Sequence, residues 1–268
     1  MSSKTAADIR ESLRLFFLKN PHIEHWIVAY SGGLDSSLLL KLCAEILPLE
    51  CLSALHVNHQ LQSDADHWAR FCAESSAELG VCFESQKVTC ESSSEESARQ
   101  ARYSVFKERL KPGEGLLLAH HQDDQAETLL FNLFRGSGVN GLSGIASSRS
   151  IGEGELFRPL LGVSKSEIES AARALQITWV DDPSNLDVSY TRNWVRHELS
   201  GVLSSQWPDW TSKLAKTAAR MTEASELHEA LAQVDLECCQ LEEGVLSLAA
   251  MSDYSMARKK NVLYHWLA

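Results

Sequence analysis

The chain has no long apolar run. None of its hydrophobic segments approaches the roughly 20 residues that a helix needs to span a bilayer, and residues 1–10 lack the basic stretch and apolar core of a secretion signal. We therefore expect a cytoplasmic protein that does not enter a membrane. A hydrophobic share of 44% and a charged share of 23% are typical of a globular protein, and 268 residues suffice for one or two domains.

The chain also lacks paired cysteines. Its seven cysteines are odd in number, scattered and never spaced as C-x-x-C. This pattern argues against both a disulfide framework and a zinc ribbon. We expect reduced side chains that mostly belong to the core.

Positive charge is scarce, with 25 basic against 36 acidic residues and a formal net charge of −11. This balance argues against indiscriminate nucleic-acid binding, which draws on Lys and Arg. Local basic faces remain, and each is open to a second interpretation as a solvated helix face. They are the 99–111 segment, Arg192 with Arg196, and residues 258–260.

Short β-prone apolar runs alternate with helical patterns along the first two thirds of the chain. Strands are predicted at 26–30, 52–57, 82–88 and 116–119, and helices at 38–46, 64–79, 95–110 and 124–134. Residues 156–160 are predicted to form an edge strand because Pro159 cannot donate to a ladder. Ser164 and Glu167 form a capping box for a helix to residue 175.

This alternation predicts an α/β fold, a doubly wound, mainly parallel, Rossmann-like sheet, followed by a helical C-terminal segment. The strand signal fades after Val180, and the helical pattern breaks near Trp207 and Pro208. We place a domain boundary between an α/β domain at residues 1–205 and a helical segment at residues 206–268.

A glycine-rich turn follows the first predicted strand and reads Ser31, Gly32, Gly33, Leu34, Asp35, Ser36 and Ser37. The free N–H groups at the start of the next helix favour an anion, and glycine lets the backbone approach it. The turn is not a Walker loop because the required Lys is missing. A purely structural turn is the alternative. The G-x-G-x-x-G string at 136–141 follows a helix, so it lacks the context of a dinucleotide site.

The string from Ser31 to Ser37 resembles the SGGxDS signature of the PP-loop ATP pyrophosphatases, which split ATP into AMP and pyrophosphate. The resemblance implies a fold of the PP-loop type and a loop, including Leu34, that holds the two outer phosphates of ATP. It also implies that Asp35 lies close to a Mg²⁺ ion.

Further motifs resemble those of the tRNA(Ile)-lysidine synthetases, in the same order, from about residue 25 to residue 200. They are HVNH at 56–59, ARQARY at 98–103, AHHQDDQAET at 119–128, RGSGVNGLSG at 135–144, RPLL at 158–161, DDPSN at 181–185 and YTRNWVR at 190–196. The implied reaction adenylates C2–O of the wobble cytidine in tRNA(Ile) with a CAU anticodon, and free L-lysine then displaces AMP. The partners are this tRNA, lysine and ATP, with a homodimer as one oligomeric option. The resemblance implies that residues 1–205 are the ATP-binding catalytic domain and residues 206–268 a helical linker or tRNA-binding subdomain.

Site residues follow from this resemblance. Asp124 and Glu127 stand three apart at the start of a helix, hence on one face, and are assigned to lysine recognition and activation; capping by Asp123 and Asp124 is the alternative. Either His120 or His121 is expected to contact phosphate or the adenylate. The alternatives are core histidines or metal ligands, although no further ligand stands at a convincing spacing. By the same resemblance, His56 is assigned to nucleotide binding. The basic residues assigned to the α-phosphate or the anticodon are Arg102, Arg192 and Arg196, with structural salt bridges as the alternative.

Two departures from the family pattern stand out. Residues 61–63 lack an arginine that many members carry, and the chain stops within what resembles the first of the family's C-terminal domains, so we expect weakened tRNA affinity. The rival functions are a tRNA thiolase, against which the absence of C-x-x-C speaks, and a non-catalytic ATP-binding or tRNA-binding protein.

Overall fold

The computed structural model describes residues 5–60, 64–89, 94–182, 191–242 and 244–267. A six-stranded sheet in the order β3-β2-β1-β4-β6-β5 forms its centre, and every neighbouring pair is parallel except β5 with β6. The predicted mainly parallel α/β fold is therefore confirmed. The strands are β1 His25–Ala29, β2 Leu52–Asn58, β3 Cys82–Lys87, β4 Glu114–Leu117, β5 Ser148–Ile151 and β6 Gly154–Phe157.

Helices connect the strands and cover the sheet. They are α1 Ala6–Lys19, α2 Leu34–Ile46, α3 Ala65–Glu78, α4 Glu95–Arg109, α5 Gln122–Phe134, α6 Val139–Leu142 and α7 Lys165–Ala174. One apolar cluster joins α1, α2, α3 and α7 to one face of the sheet. A second cluster joins α4 to the other face, because the chain crosses from β3 past β1 to reach β4. The core therefore lies in two layers, as the apolar strands require.

The prediction of an edge strand at 156–160 is wrong. The strand β6 lies inside the sheet between β4 and β5, and it ends at Phe157, before Pro159. The edge strand on this side of the sheet is β5, an exposed strand whose sequence SRSI has no apolar alternation and gave no signal. Gly152 lets the hairpin turn, since its φ is +58° and a Cβ there would lie 2.2 Å from the carbonyl oxygen of Lys107.

The strand order places the site. The chain leaves β1 towards one side and β4 towards the other, so the carboxyl ends of these two neighbouring strands form a topological switch point, where ligands bind in such folds. The glycine-rich turn follows β1, and the sequence AHHQDD follows β4.

The C-terminal part is helical, as predicted, with a break at Trp207–Asp209. It contains α8 Thr191–Trp194, a π-helical turn Val195–Leu199, α9 Ser200–Gln206, α10 Trp210–Cys239, a small hairpin of β7 Gln240–Glu242 and β8 Val245–Leu246, and α11 Met256–Leu267. Trp210 of α10 packs with Ala126 and Leu130 of α5. The boundary between residues 205 and 206 stays a prediction. Across the described ranges, no helix is both long enough and apolar enough to cross a bilayer.

Candidate active site

The glycine-rich turn has a backbone that only glycine fits. Gly32 has a φ of +82°, and a Cβ on it would lie 2.9 Å from Cys72 Sγ and 3.0 Å from Val180 Cγ2. Gly33 is the N-cap of α2 and offers no side chain to the first turn of that helix. The positive end of α2 therefore has no capping side chain of its own, which favours an anion there.

Serine hydroxyls hold the turn in shape. The oxygens Ser31 Oγ and Ser36 Oγ lie 3.0 Å apart, the Gly33 N–H donates to Ser31 Oγ at 3.3 Å, and Ser36 Oγ donates to the Gly33 carbonyl at 3.1 Å. Ser37 is buried and donates to the Gly32 carbonyl at 3.3 Å. A network of this kind fixes the amides before any ligand arrives, which lowers the cost of binding.

A lysine from a distant helix reaches Asp35. The ammonium of Lys165, the first residue of α7, lies 2.7 Å from Asp35 Oδ1, and its backbone N–H donates to Asp123 Oδ2 at 2.8 Å. Both Asp35 and Lys165 are about one third exposed and line the same cavity. The turn, which has no lysine of its own, thus has one beside it that comes from 130 residues later in the chain.

His121 lies buried among three carboxylates. Its Nε2 is 3.5 Å from Asp124 Oδ2 and 3.8 Å from Asp35 Oδ2, and its Nδ1 is 3.7 Å from Asp123 Oδ2. Burial lowers the pKa of His121, but the attraction of Asp123, Asp124 and Asp35 outweighs burial and raises the pKa overall. The His121 ring therefore lies between Asp35 of the glycine-rich turn and the acidic first turn of α5.

Asp124 and Glu127 share one face of α5, as predicted, and one guanidinium contacts both. Arg196 Nε donates to Glu127 Oε1 at 2.9 Å, and Nη2 donates to Glu127 Oε2 at 2.8 Å and to Asp124 Oδ1 at 3.1 Å. Asp124 Oδ2 also accepts a hydrogen bond from the backbone N–H of His121 at 2.9 Å, so Asp124 caps the helix as well. Burial lowers the pKa of Arg196, and its carboxylate partners more than reverse that shift.

His120 is oriented by a buried arginine. Arg158 Nε donates to His120 Nδ1 at 3.2 Å, and the same guanidinium donates to the Ala146 carbonyl at 2.6 Å and to the Tyr103 hydroxyl at 3.1 Å. Because Nδ1 accepts this bond, a neutral His120 carries its proton on Nε2. The ring is thereby set to act as a donor through Nε2.

Two further histidines lie at the carboxyl end of β2, His56 within the strand and His59 directly after it. His56 is buried, its Nδ1 lies 2.8 Å from the Tyr30 carbonyl, and burial lowers its pKa. Burial together with the nearby charge of Arg102 lowers the pKa of His59 to about 4, and Arg102 Nε lies 3.4 Å from His59 Nε2. Both rings are therefore neutral at pH 7.

A cavity of about 640 Å³ lies at the carboxyl ends of the strands, between the glycine-rich turn, the end of β2 and the start of α5. It is large enough for a nucleotide. The predicted site residues that line it are Ser31, Gly33, Leu34, Asp35, Ser36, His56, Arg102, His120, Asp124 and Arg196. Gly32, Ser37 and Glu127 are not among the lining residues, although Glu127 contacts Arg196, which is.

Some residues are outside this set. The Arg192 side chain, the DDPSN residues after Asp182 and residues 61–63 are outside the described residues. Sequence reasoning missed Lys165 and Arg158, and it did not pair Arg196 with Asp124. A basic residue at the start of a helix after RPLL was the only signal for Lys165. No group of three or more His, Cys, Asp or Glu side chains in the described part has a metal-binding arrangement.

The sequence matches the family model of a PP-loop domain over residues 6–203. The tRNA(Ile)-lysidine synthase of Pseudomonas syringae pv. tomato is 47% identical over 255 residues, which cover 91% of this chain and 57% of the relative. The corresponding protein of Coxiella burnetii is 36% identical, covering 96% and 58% of the two chains. This chain thus spans less than two thirds of the length of these relatives.

A solved structure shares the fold. The U34-tRNA thiolase of Methanococcus maripaludis, with its [4Fe-4S] cluster, matches with a TM-score of 0.61 and 16% identity, over 81% of this chain and 78% of the thiolase. At this identity the match supports the architecture alone.

Proposed function

We propose, from the premise that this chain belongs to the PP-loop domain family, that it is an ATP-consuming ligase. In this proposal it joins lysine to C2 of the wobble cytidine in tRNA(Ile) and so makes lysidine. The observation that carries the proposal is the convergence of the glycine-rich turn and the Asp124–Glu127 pair at the ends of two adjacent strands. The name shared by the relatives and the order of the motifs support the same activity.

The first step is attack of the cytidine C2 oxygen on the α-phosphorus of ATP, which forms an adenylate and releases pyrophosphate. The turn at Gly32 and Gly33 and the uncapped start of α2 would receive the two outer phosphates through backbone N–H groups. Because the turn is held by its serines, these donors need no reorganisation when negative charge leaves with the pyrophosphate.

Lys165 would contribute the cation that the turn lacks. Its ammonium lies beside Asp35, where its positive charge balances the negative charge of a carboxylate that would otherwise repel phosphate. A flexible stem lets the ammonium contact a phosphate oxygen from the same position.

Mg²⁺ fits the donor set around Asp35. The ion is commonly held by one or two carboxylates together with substrate phosphates, and Asp35 and Asp124 both lie within 4 Å of one imidazole nitrogen of His121. Asp35 is the residue proposed to hold it, with Asp124 nearby. The ion would neutralise charge on the phosphates.

In the second step the ε-amine of lysine attacks C2, and the C2–O bond to AMP breaks. The ammonium has a pKa of about 10.4, so presenting a neutral amine at pH 7 costs roughly 5 kcal/mol. Asp124 and Glu127 would bind the ammonium and accept its proton. Arg196 already places one positive charge on this pair, so lysine would share the carboxylates with Arg196 or displace it.

The remaining predicted residues flank the adenylate. His120, held by Arg158, would donate from Nε2 to a phosphate oxygen. Arg102 and Arg192 are proposed to contact the α-phosphate or the anticodon, and His56 the nucleotide. A thiolase would need a reactive thiol at the site, but burial raises the pKa of Cys72, the thiol beside Gly32, to about 12.

The direct test incubates the chain with ATP, Mg²⁺, lysine and an unmodified tRNA(Ile) transcript with a CAU anticodon, and then analyses digested nucleosides by mass spectrometry. We expect a lysine adduct on cytidine with wild type and its loss with Asp124→Asn. The matched control is Asp209→Asn, which removes an exposed carboxylate paired with Lys213 and should leave product formation unchanged. A non-catalytic protein would give no lysine-dependent AMP with either form.

A further inference from the structure

Three guanidinium groups from distant parts of the sequence surround one phenol. The Cζ atoms of Arg99 and Arg149 lie 5.6 Å and 4.9 Å from the centroid of the Tyr103 ring, and Arg158 Nη2 donates to the Tyr103 hydroxyl at 3.1 Å. Arg99 comes from α4, Arg149 from the edge strand β5, and Arg158 follows β6. We refer to Arg99, Arg149 and Arg158 as the arginine cluster.

The cluster carries more positive charge than its protein partners balance. Arg99 is paired with Glu96 through two hydrogen bonds of 2.9 Å. Within the described ranges Arg149 has no carboxylate at ion-pair distance, and the three hydrogen-bond partners of Arg158 are a carbonyl, a phenol and an imidazole, none of them a carboxylate. In a chain with a net charge of −11, two adjacent uncompensated guanidinium groups favour an anionic ligand.

The arginine cluster is continuous with the cavity. Arg158 contacts His120, which lines the cavity, and Arg102, one residue before Tyr103, also lines it. Arg149 is exposed on the outer surface of β5. An extended anion lying across Arg149 and Tyr103 would therefore lead to the rim of the cavity.

We propose that the arginine cluster and Tyr103 form a docking surface for the RNA backbone beside the nucleotide whose base enters the cavity. This inference rests on the proposed function and assigns the part of the surface that receives the RNA. Planar guanidinium groups suit bidentate contact with phosphate, and the exposed guanidinium of Arg149, which lies over the partly buried Tyr103 ring, can also stack on a base. An acidic protein segment would use the charge but not the stacking faces.

The test changes the exposed member of the cluster. The full chain, without ATP, is titrated with the CAU anticodon stem-loop over a range of salt concentrations. Arg149→Ala should weaken binding by roughly 10-fold and reduce the slope of log affinity against log salt by about one. Arg149→Lys should restore most of the slope because it keeps the charge. The matched control is Arg14→Ala, which removes an exposed arginine from α1, on the opposite face of the sheet.

Three outcomes would overturn the inference. They are an Arg149→Ala variant with wild-type affinity and slope, a wild type with no measurable affinity for the stem-loop, and competition by polyglutamate as effective as competition by RNA. A structural role for Arg149 alone would appear as a lower melting temperature with unchanged RNA binding. Failure of the proposed function would instead appear as absent lysidine with the Arg149 effect intact.

Discussion

At the scale of single residues, the site depends on charges that the sequence does not bring together. Asp35, Asp123 and Asp124 surround His121, and Lys165 reaches the same group from α7. The motif AHHQDD indicated that His121, Asp123 and Asp124 belong to the site. It gave no information about their partners, because a hydrogen bond across 130 residues depends on the tertiary fold.

Replacing Lys165 tests its proposed contact with phosphate. Lys165→Met should raise the KM for ATP and weaken binding of inorganic pyrophosphate roughly 10-fold, since a hydrogen bond to a charged group contributes about 1.5–3 kcal/mol. Calorimetric titration with pyrophosphate measures this without tRNA. Lys41→Met is the control, because Lys41 is similarly exposed and pairs with Glu45 on α2. Equal pyrophosphate affinities for Lys165→Met and wild type would disprove the contact.

The raised pKa of His121 predicts a pH-dependent stability. A group whose pKa is higher in the folded state stabilises the fold fully below its unfolded pKa, about 6.5 for histidine, and loses that contribution as pH rises through the folded value. The free energy of unfolding of wild type should therefore fall above pH 6.5 relative to that of His121→Asn. Urea denaturation from about pH 6 to pH 9 measures the difference. Parallel curves for the two proteins over this range would contradict the assignment.

At the scale of elements, sequence patterns predicted what depends on local periodicity. The strands β1 to β4 and the helices between them have apolar runs or helical spacing, and the structure confirms them. The edge strand β5 was missed because its exposed residues carry no alternation, and β6 was misplaced because Pro159 lies beyond its end. Since β5 carries Arg149, the sequence could not predict the arginine cluster.

The backbone of the glycine-rich turn gives a prediction for this element. Gly32→Ala should lower the free energy of unfolding by about 1–3 kcal/mol, because a left-handed φ and two close contacts oppose a Cβ. It should also abolish pyrophosphate binding by moving the amides. Gly201→Ala is the control, since Gly201 is exposed in α9 with open space around it and should gain about 0.5–1 kcal/mol. Chemical denaturation measures the free energy of unfolding of Gly32→Ala and of Gly201→Ala. A Gly32→Ala variant as stable as wild type would argue against the strained turn.

At the scale of the whole molecule, the C-terminal helix α10 packs against α5, the helix that carries two of the site's carboxylates. Trp210 of α10 packs on Ala126 and Leu130 of α5, the helix that carries Asp124 and Glu127. Farther along, Ser225 Oγ donates to Asn140 Oδ1 at 2.7 Å. The division predicted at residue 205 therefore lies close to a packed contact between α5 and α10.

Two tryptophans near this contact differ in burial and give a matched pair. Trp210→Ala should destabilise the protein by about 3–5 kcal/mol, because the ring is 7% exposed and its removal leaves a cavity behind α5. Trp207→Ala removes a ring that is 52% exposed and should cost below about 0.5 kcal/mol. Thermal and urea unfolding measure both. Similar losses for the two variants would mean that α10 does not support α5.

The capture of the two outer phosphates of ATP by backbone amides after β1 is the central claim. A crystal structure of the chain with a non-hydrolysable ATP analogue tests it most directly. The account predicts β- and γ-phosphate oxygens within hydrogen-bonding distance of N–H groups between Gly32 and Ser37, with the Lys165 ammonium in contact with one of them. An analogue bound elsewhere, with the turn free of phosphate, would contradict the account.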